Sequence, residues 1–118
     1  MRAVWTPIGL KSLDKTTNFI EEQWNKEVAD TLLNRLDERI EQLERNPRIG
    51  PSYEQTKYRR LTIHPLVTLY YELKNDHIRL VLVWANKQDP EKLQKKLKQM
   101  WTNAMNEWMN GGLSVKTR

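Results

Sequence analysis

The chain has 118 residues, of which 38% are hydrophobic and 30% charged, and it contains no cysteine. This balance fits one folded domain and excludes a disordered chain, a bilayer-spanning protein, a disulfide framework and a thiolate metal site. The 20 lysines and arginines outnumber the 15 aspartates and glutamates, and the formal charge of +5 favours either nucleic acid, ribosomes or an acidic protein as partner, or solubility alone.

The first part of the chain is predicted to form a short strand and then two helices. Residues 3–5 are apolar and predict the strand, and Thr6 with Pro7 is typical of a helix cap and first helical residue. Apolar residues then recur at three- and four-residue steps, as in an amphipathic helix. The second helix is predicted to begin near Asn25 and to end before Asn46, and the short join predicts an antiparallel helical hairpin.

A loop is predicted over residues 46–56, after which the apolar period changes to that of a strand. Three strands are predicted at residues 57–64, 66–74 and 77–85, and Asn75-Asp76 is a plausible hairpin turn. This turn predicts four apolar pairs on one face of an antiparallel meander, which the helical hairpin is expected to cover. The predicted pairs are Leu73 with Ile78, Tyr71 with Leu80, Leu69 with Leu82, and Val67 with Trp84.

The opposite face of the predicted sheet is expected to stay open and to be the functional surface. Alternation along the strands assigns these residues to it: Tyr58, Arg60, Thr62, Thr68, Tyr70, Glu72, Arg79, Val81 and Val83. Glu72 stands opposite Arg79 there, either as a weak surface ion pair or as a functional pair. The tryptophans Trp5, Trp24 and Trp84 are assigned to the core.

A third helix is predicted after Asp89-Pro90, with an apolar stripe that includes Trp101 and Trp108. This stripe either packs on the domain or binds a partner, and a homo-oligomer through the helix is one form of the second alternative. The predicted fold class is therefore α+β: a short N-terminal strand, an antiparallel helical hairpin packed on an antiparallel meander, and a C-terminal helix. Residues 1–90 are predicted to form the core of this single domain, and residues 91–118 its helical extension.

Short motifs follow one another through the first 90 residues in a characteristic order. They are Val4-Trp5-Thr6-Pro7, Phe19–Trp24, Leu43–Gly50, Tyr58–Leu61, Tyr70-Tyr71, Ile78–Trp84 and Asn86–Pro90. This ordered set resembles the RelE/ParE superfamily, the toxins of type II toxin–antitoxin and plasmid-stabilisation systems. The resemblance implies a cytoplasmic protein that a cognate antitoxin masks, with DNA gyrase or the ribosome and its messenger RNA as target. It implies no membrane, no cofactor and no metal.

The resemblance also bears on catalysis. RNA cleavage of the RelE type needs cations that stabilise the phosphate and a group that activates the 2′-hydroxyl. The family's key arginine falls at Thr68 and its late tyrosine at Leu93, so both groups are missing, while Lys87 keeps a cation where the family has a second arginine. The chain is therefore more similar to ParE-like members, which act on gyrase without RNA cleavage.

Two sets of candidate residues follow. A RelE-like endonuclease with an altered site would use Arg60, Lys87 and His64 as catalytic residues, with His64 as general base. A ParE-like toxin would bind its target through Tyr58, Arg60, Tyr70, Arg79 and Lys87. Several of these residues also have a purely structural interpretation. Arg60 is then an exposed strand arginine, and His64 is a turn residue. Tyr58 and Tyr70 are then ordinary strand tyrosines. The partner-binding candidates are Trp101 and Trp108, and an inactive, regulatory family member is the third alternative.

Overall fold

The structure, a computed structural model, describes residues 1–86. Its elements are β1 (Arg2–Trp5), α1 (Pro7–Gln23), α2 (Lys26–Arg45), β2 (Arg59–His64), β3 (Val67–Leu73) and β4 (His77–Ala85). The predicted α+β class, helical hairpin and antiparallel meander are confirmed. The predicted tail helix, Lys87, Trp101 and Trp108 lie outside the described residues. Neither helix within residues 1–86 has the length and apolarity that crossing a bilayer requires.

Side-chain caps fix both helix starts where the sequence predicts them. The Thr6 hydroxyl accepts a hydrogen bond from the Gly9 amide at 2.9 Å, and Asn25 Oδ1 accepts one from the Val28 amide at 2.8 Å. Trp24, predicted to be in the core, is 38% exposed. That prediction is wrong because Trp24 is the C-cap of α1 and its backbone angles are no longer helical. Its side chain therefore does not continue the apolar stripe of the helix that faces the core.

The sheet has four strands in the order β1-β4-β3-β2, so the N-terminal strand extends the predicted meander at its far edge. β1 runs parallel to β4, and the other neighbours are antiparallel. Both helices pack on one side of the sheet, called here the inner face. Its buried side chains include Leu61, Ile63, Val67, Leu69, Tyr71, Ile78, Leu80, Val83 and Ala85.

The register between β3 and β4 follows the prediction from the hairpin turn as far as Tyr71 and then shifts. Tyr71 pairs with Leu80, but Tyr70 pairs with Leu82, so Val81 is an extra residue on β4. Such an inserted residue is a β-bulge, and it reverses which face each following side chain occupies.

The bulge corrects the second half of the predicted register. Leu69 pairs with Val83 and Val67 with Ala85, instead of with Leu82 and Trp84. Val83 and Ala85 are therefore core residues, each 1% exposed, although Val83 was predicted for the open face. Trp84, predicted to be core, pairs with Thr68 and is only partly buried.

Helix α1 replaces the missing strand neighbour of β4 beyond Leu80, where the pairing with β1 ends. The Val83 amide donates to Ser12 Oγ at 2.9 Å, and Thr16 Oγ1 donates to the Val83 carbonyl at 2.9 Å. The approach is close: a Cβ on Gly9 would lie 2.2 Å from the Leu80 carbonyl oxygen. Glycine is thus required at this contact, and the hydroxyls of α1 satisfy backbone groups that a strand edge would leave unpaired.

Side chains of α2 reach both outer edges of the sheet. Arg39 Nε donates to the Thr62 carbonyl of β2 at 3.1 Å, and Glu44 Oε2 accepts from the Ala3 amide of β1 at 2.8 Å. Exposed strand edges readily pair with other chains. These two contacts disfavour such pairing and leave the face of the sheet as the more available surface.

Candidate functional site: the outer face of the sheet

The candidate site is the side of the sheet opposite the helices, called here the outer face. Its residues on β2, β3 and β4 are Arg60, Thr62, Thr68, Tyr70, Glu72, Arg79, Leu82 and Trp84. The loop between α2 and β2 folds over part of it: the Tyr53 ring packs edge-on against Tyr70, with centroids 5.2 Å apart. The face that the sequence predicts to be open is therefore partly covered by the chain itself.

The covering loop is fixed at its start by side chains of the sheet. The Tyr71 hydroxyl donates to the Pro47 carbonyl at 2.8 Å and accepts from the Gly50 amide at 3.0 Å, and Arg59 Nη1 donates to the Gly50 carbonyl at 2.8 Å. Burial raises the pKa of Tyr71, which keeps the phenol protonated and able to donate. A Cβ on Gly50 would lie 2.3 Å from the Arg60 carbonyl oxygen, so only glycine fits.

Three of the predicted target-binding residues lie around this loop. Tyr58 is 3% exposed and Tyr70 is 4% exposed. Burial raises the pKa of Tyr70 to about 12 and also raises that of Tyr58. Arg60 is exposed, and its guanidinium carbon lies 5.6 Å from the Tyr53 ring centroid, within cation–π range. Arg60 thus offers a charge at the surface, above the Tyr53 ring, which in turn packs against Tyr70.

The most concentrated electrostatic feature is a buried carboxylate shared by three cations, called here the Glu72 cluster. Glu72 accepts from Arg79 Nη1 at 2.8 Å and pairs with Lys57 Nζ at 3.1 Å and Lys74 Nζ at 3.3 Å. The Glu72 side chain is 7% exposed, whereas those of Lys57, Lys74 and Arg79 are 24%, 44% and 37% exposed. The cluster therefore hides its negative charge and displays its positive charges.

Glu72 and Arg79 are paired as predicted. The prediction of a surface pair is wrong, because Glu72 is buried and has more than one partner. Burial alone would raise the pKa of Glu72, but Lys57 and Lys74 outweigh it and hold the pKa below its usual value. Lys74 lies two residues after Glu72, just past the end of β3, and the alternation of side chains along the strand could have identified it as a neighbour. Lys57 reaches Glu72 from the end of the loop, which sequence spacing does not reveal.

Within residues 1–86, the end of the outer face around Thr68 presents neutral polar side chains. Thr68 is 7% exposed, and its hydroxyl donates to Asn86 Oδ1 at 2.8 Å. Asn86 in turn donates from Nδ2 to the Pro65 carbonyl at 2.9 Å. Thr68, the residue that the sequence resemblance aligns with the RelE-type arginine, thus takes part in a local hydrogen-bond chain.

His64 lies away from this face, at the turn between β2 and β3. Its Nδ1 accepts from the Leu66 amide at 3.1 Å, which assigns the ring proton to Nε2. His64 lines two clefts, of about 540 and 240 Å³, whose other walls include α2 residues such as Arg35 and Val28, and Arg60 lines neither. Within residues 1–86, no group of three or more histidines and carboxylates is placed to hold a metal ion.

Comparison with known proteins finds a matching family model and similar solved structures. A family model described as "ParE toxin of type II toxin-antitoxin system, parDE" matches residues 3–90. A solved chain titled "Chromosomal ParDE TA system from P. aeruginosa" is similar with a TM-score of 0.61 and 19% identity, over 72% of this chain and 95% of that chain. At this identity the structural likeness concerns the fold alone. Among curated proteins none matches the chain.

Proposed function

Because this chain belongs to the ParE toxin family of type II toxin–antitoxin systems, we propose that it arrests growth by binding a target such as DNA gyrase. In this proposal a cognate antitoxin neutralises it by occupying the same outer face. The observation that carries the choice of binding over RNA cleavage is the neutral Thr68–Asn86 pair at the position of the RelE-type arginine. A hydroxyl cannot stabilise the charge that develops on a phosphate as a guanidinium does.

The placement of the RelE-like catalytic candidates supports the same choice. Arg60 lies over Tyr53 on the outer face, while His64 lines clefts bounded by α2. A general base has to be within hydrogen-bond reach of the proton that it removes. Arg60 lines neither of the two clefts that His64 borders, so these clefts do not combine the predicted base with the predicted phosphate-binding arginine.

The proposed target-binding surface consists of exposed cations on a supported face. Arg60 and Arg79 present guanidinium groups, which are frequent anchors of protein interfaces. In this proposal the buried rings of Tyr58 and Tyr70 pack beneath this surface and support it. Lys87 remains a predicted target-binding residue, and Trp101 and Trp108 remain predicted partner-binding residues; all three lie beyond residue 86.

The test is controlled expression in a bacterial host, with growth, DNA-damage signalling and message integrity followed in one culture. We expect growth arrest with DNA-damage signalling and intact messages. Arrest with rapid message cleavage would instead support the RelE-like alternative with Arg60, Lys87 and His64. No arrest by folded protein would support an inactive, regulatory member of the family.

A matched pair of variants locates the active surface. Arg60→Ala removes an exposed charge from the outer face and is expected to weaken target binding about tenfold. Arg35→Ala removes the same charge from the cleft on α2 and should leave the growth arrest unchanged. If Arg35→Ala lost activity and Arg60→Ala kept it, the active surface would be the cleft and the proposed surface would be wrong.

A further inference from the structure

We propose that the Glu72 cluster is the docking site for an acidic segment of the antitoxin, one that places apolar residues between its carboxylates. This inference rests on the proposed function, because it assigns the segment to the neutralising partner. The segment's carboxylates would bind Arg79 and Lys74, and its apolar side chains would cover the neighbouring part of β1.

The geometry of the cluster supports an anionic ligand. Glu72 holds Lys57, Lys74 and Arg79 around one point, each with a nitrogen within 3.3 Å of a carboxylate oxygen. One negative charge against three positive charges leaves a surplus of two. Since Glu72 uses only part of each cation's donors, Lys74 and Arg79, whose side chains are 44% and 37% exposed, keep N–H groups for a further acceptor. Their ion pairs with Glu72 reduce the side-chain ordering that binding has to impose.

The strand pairing places an apolar neighbour beside these charges. Val4 on β1 pairs with Arg79 on β4, and Arg79 pairs with Glu72 on β3, so the three side chains form a row across the outer face. Val4 is 36% exposed. A partner that combines carboxylates with apolar side chains would bury Val4 while it neutralises the cations.

The surroundings favour a peptide over a nucleic acid. Nucleic-acid surfaces combine a track of cations along the backbone with exposed aromatic rings on which bases stack. Here the cations converge on one carboxylate, and the nearby rings of Tyr53, Tyr58 and Tyr70 are buried. The cluster therefore fits a compact group of carboxylates better than a row of phosphates.

The test uses the full-length chain and a short fluorescent peptide in which glutamates alternate with leucines. Binding is measured by fluorescence anisotropy, beside the same peptide with lysine for glutamate and beside a short DNA duplex. We expect the glutamate peptide to bind best, and Lys74→Ala and Arg79→Ala each to weaken it about tenfold. Each variant leaves Glu72 two cations, so the fold should persist. Lys15→Ala, on an exposed part of α1, removes the same charge and should bind as the wild type does.

The outcomes separate this inference from the function on which it rests. Equal binding by wild type, Lys74→Ala and Arg79→Ala, or tighter binding of the duplex than of the glutamate peptide, would overturn the inference. Folding is checked independently by the thermal midpoint of each variant. A chain that binds the peptide through these residues but causes no growth arrest would keep the docking site and refute the toxin activity.

Discussion

The inner and outer faces of the same sheet are both largely buried, but different forces stabilise them. On the inner face Leu69, Tyr71 and Ile78 are 0% exposed and pack against the apolar stripes of the helices. On the outer face the buried Tyr70 ring packs against Tyr53. The buried Thr68 hydroxyl donates to Asn86, and the buried carboxylate of Glu72 is held by cations. The inner face is packed by apolar side chains, whereas the outer face adds a buried charge and hydrogen-bonded polar groups to buried apolar residues such as Leu82.

This difference explains how one small domain can be stable and still present a binding surface. Apolar burial on the inner face contributes roughly 25 cal/mol per Å² of apolar surface removed from water. The polar groups of the outer face hold Arg60 and Arg79 at the surface without placing them in the core. A partner can then bind the charges while the helices and the inner face remain undisturbed.

The largest effect is expected from a cavity on the inner face. Leu69→Ala should lower the free energy of unfolding by about 3 kcal/mol, because a fully buried leucine loses its contacts and leaves a void. Urea denaturation measures the change. Thr62→Ala, at an exposed position of β2 on the outer face, is the control and should change stability by less than about 0.5 kcal/mol. Equal losses would refute the assignment of the apolar core to the inner face.

A smaller and pH-dependent effect is expected at the Glu72 cluster. Glu72→Gln keeps the shape but removes the charge that Lys57, Lys74 and Arg79 share, and should cost about 2 kcal/mol near neutral pH. The folded pKa of Glu72 lies below its ordinary value of 4.5. Its stabilisation is therefore complete above that value and is lost as the pH falls through the folded pKa.

The measurement is urea denaturation of wild type and Glu72→Gln over a pH series. The difference between the two should shrink as the solution becomes more acidic than pH 4.5, the ordinary value for this group. Glu38→Gln, an exposed carboxylate on α2, is the matched control and should differ little from the wild type at any pH. A difference for Glu72→Gln that stays constant into acid would mean that packing, and not charge, is what the residue contributes.

Local chemistry in the sequence was sufficient for the elements of the fold. Thr6 and Asn25 cap the helices, and the turn at Asn75-Asp76 sets the first pairs of the β3–β4 hairpin. The bulge at Val81 was not predictable from alternation. Residues 80–83 are all apolar, so either register keeps apolar side chains on the inner face and the pattern cannot distinguish them.

The candidate site was predicted as a surface but not in its detail. Alternation placed Arg60, Tyr70 and Arg79 on the outer face, as the structure has them. The cover over Tyr70 and the approach of Lys57 to Glu72 come from the path of the loop before β2. That path is fixed by contacts between distant residues, such as Tyr71 with Pro47, which periodicity within one strand does not encode.

The smallest predicted effect tests how α1 supports the edge of β4, on which the arrangement of both faces depends. Thr16→Val removes the hydroxyl that donates to the Val83 carbonyl and should cost about 1 kcal/mol in the free energy of unfolding, because this buried carbonyl then lacks its partner. Thr17→Val is the matched control: its hydroxyl donates at 2.7 Å to the Leu13 carbonyl, which the helix already uses, so its loss should matter less. Urea denaturation of the two variants compares them directly. Equal stabilities would mean that the bulge and the inner-face pairing beyond it hold without the Thr16 hydroxyl.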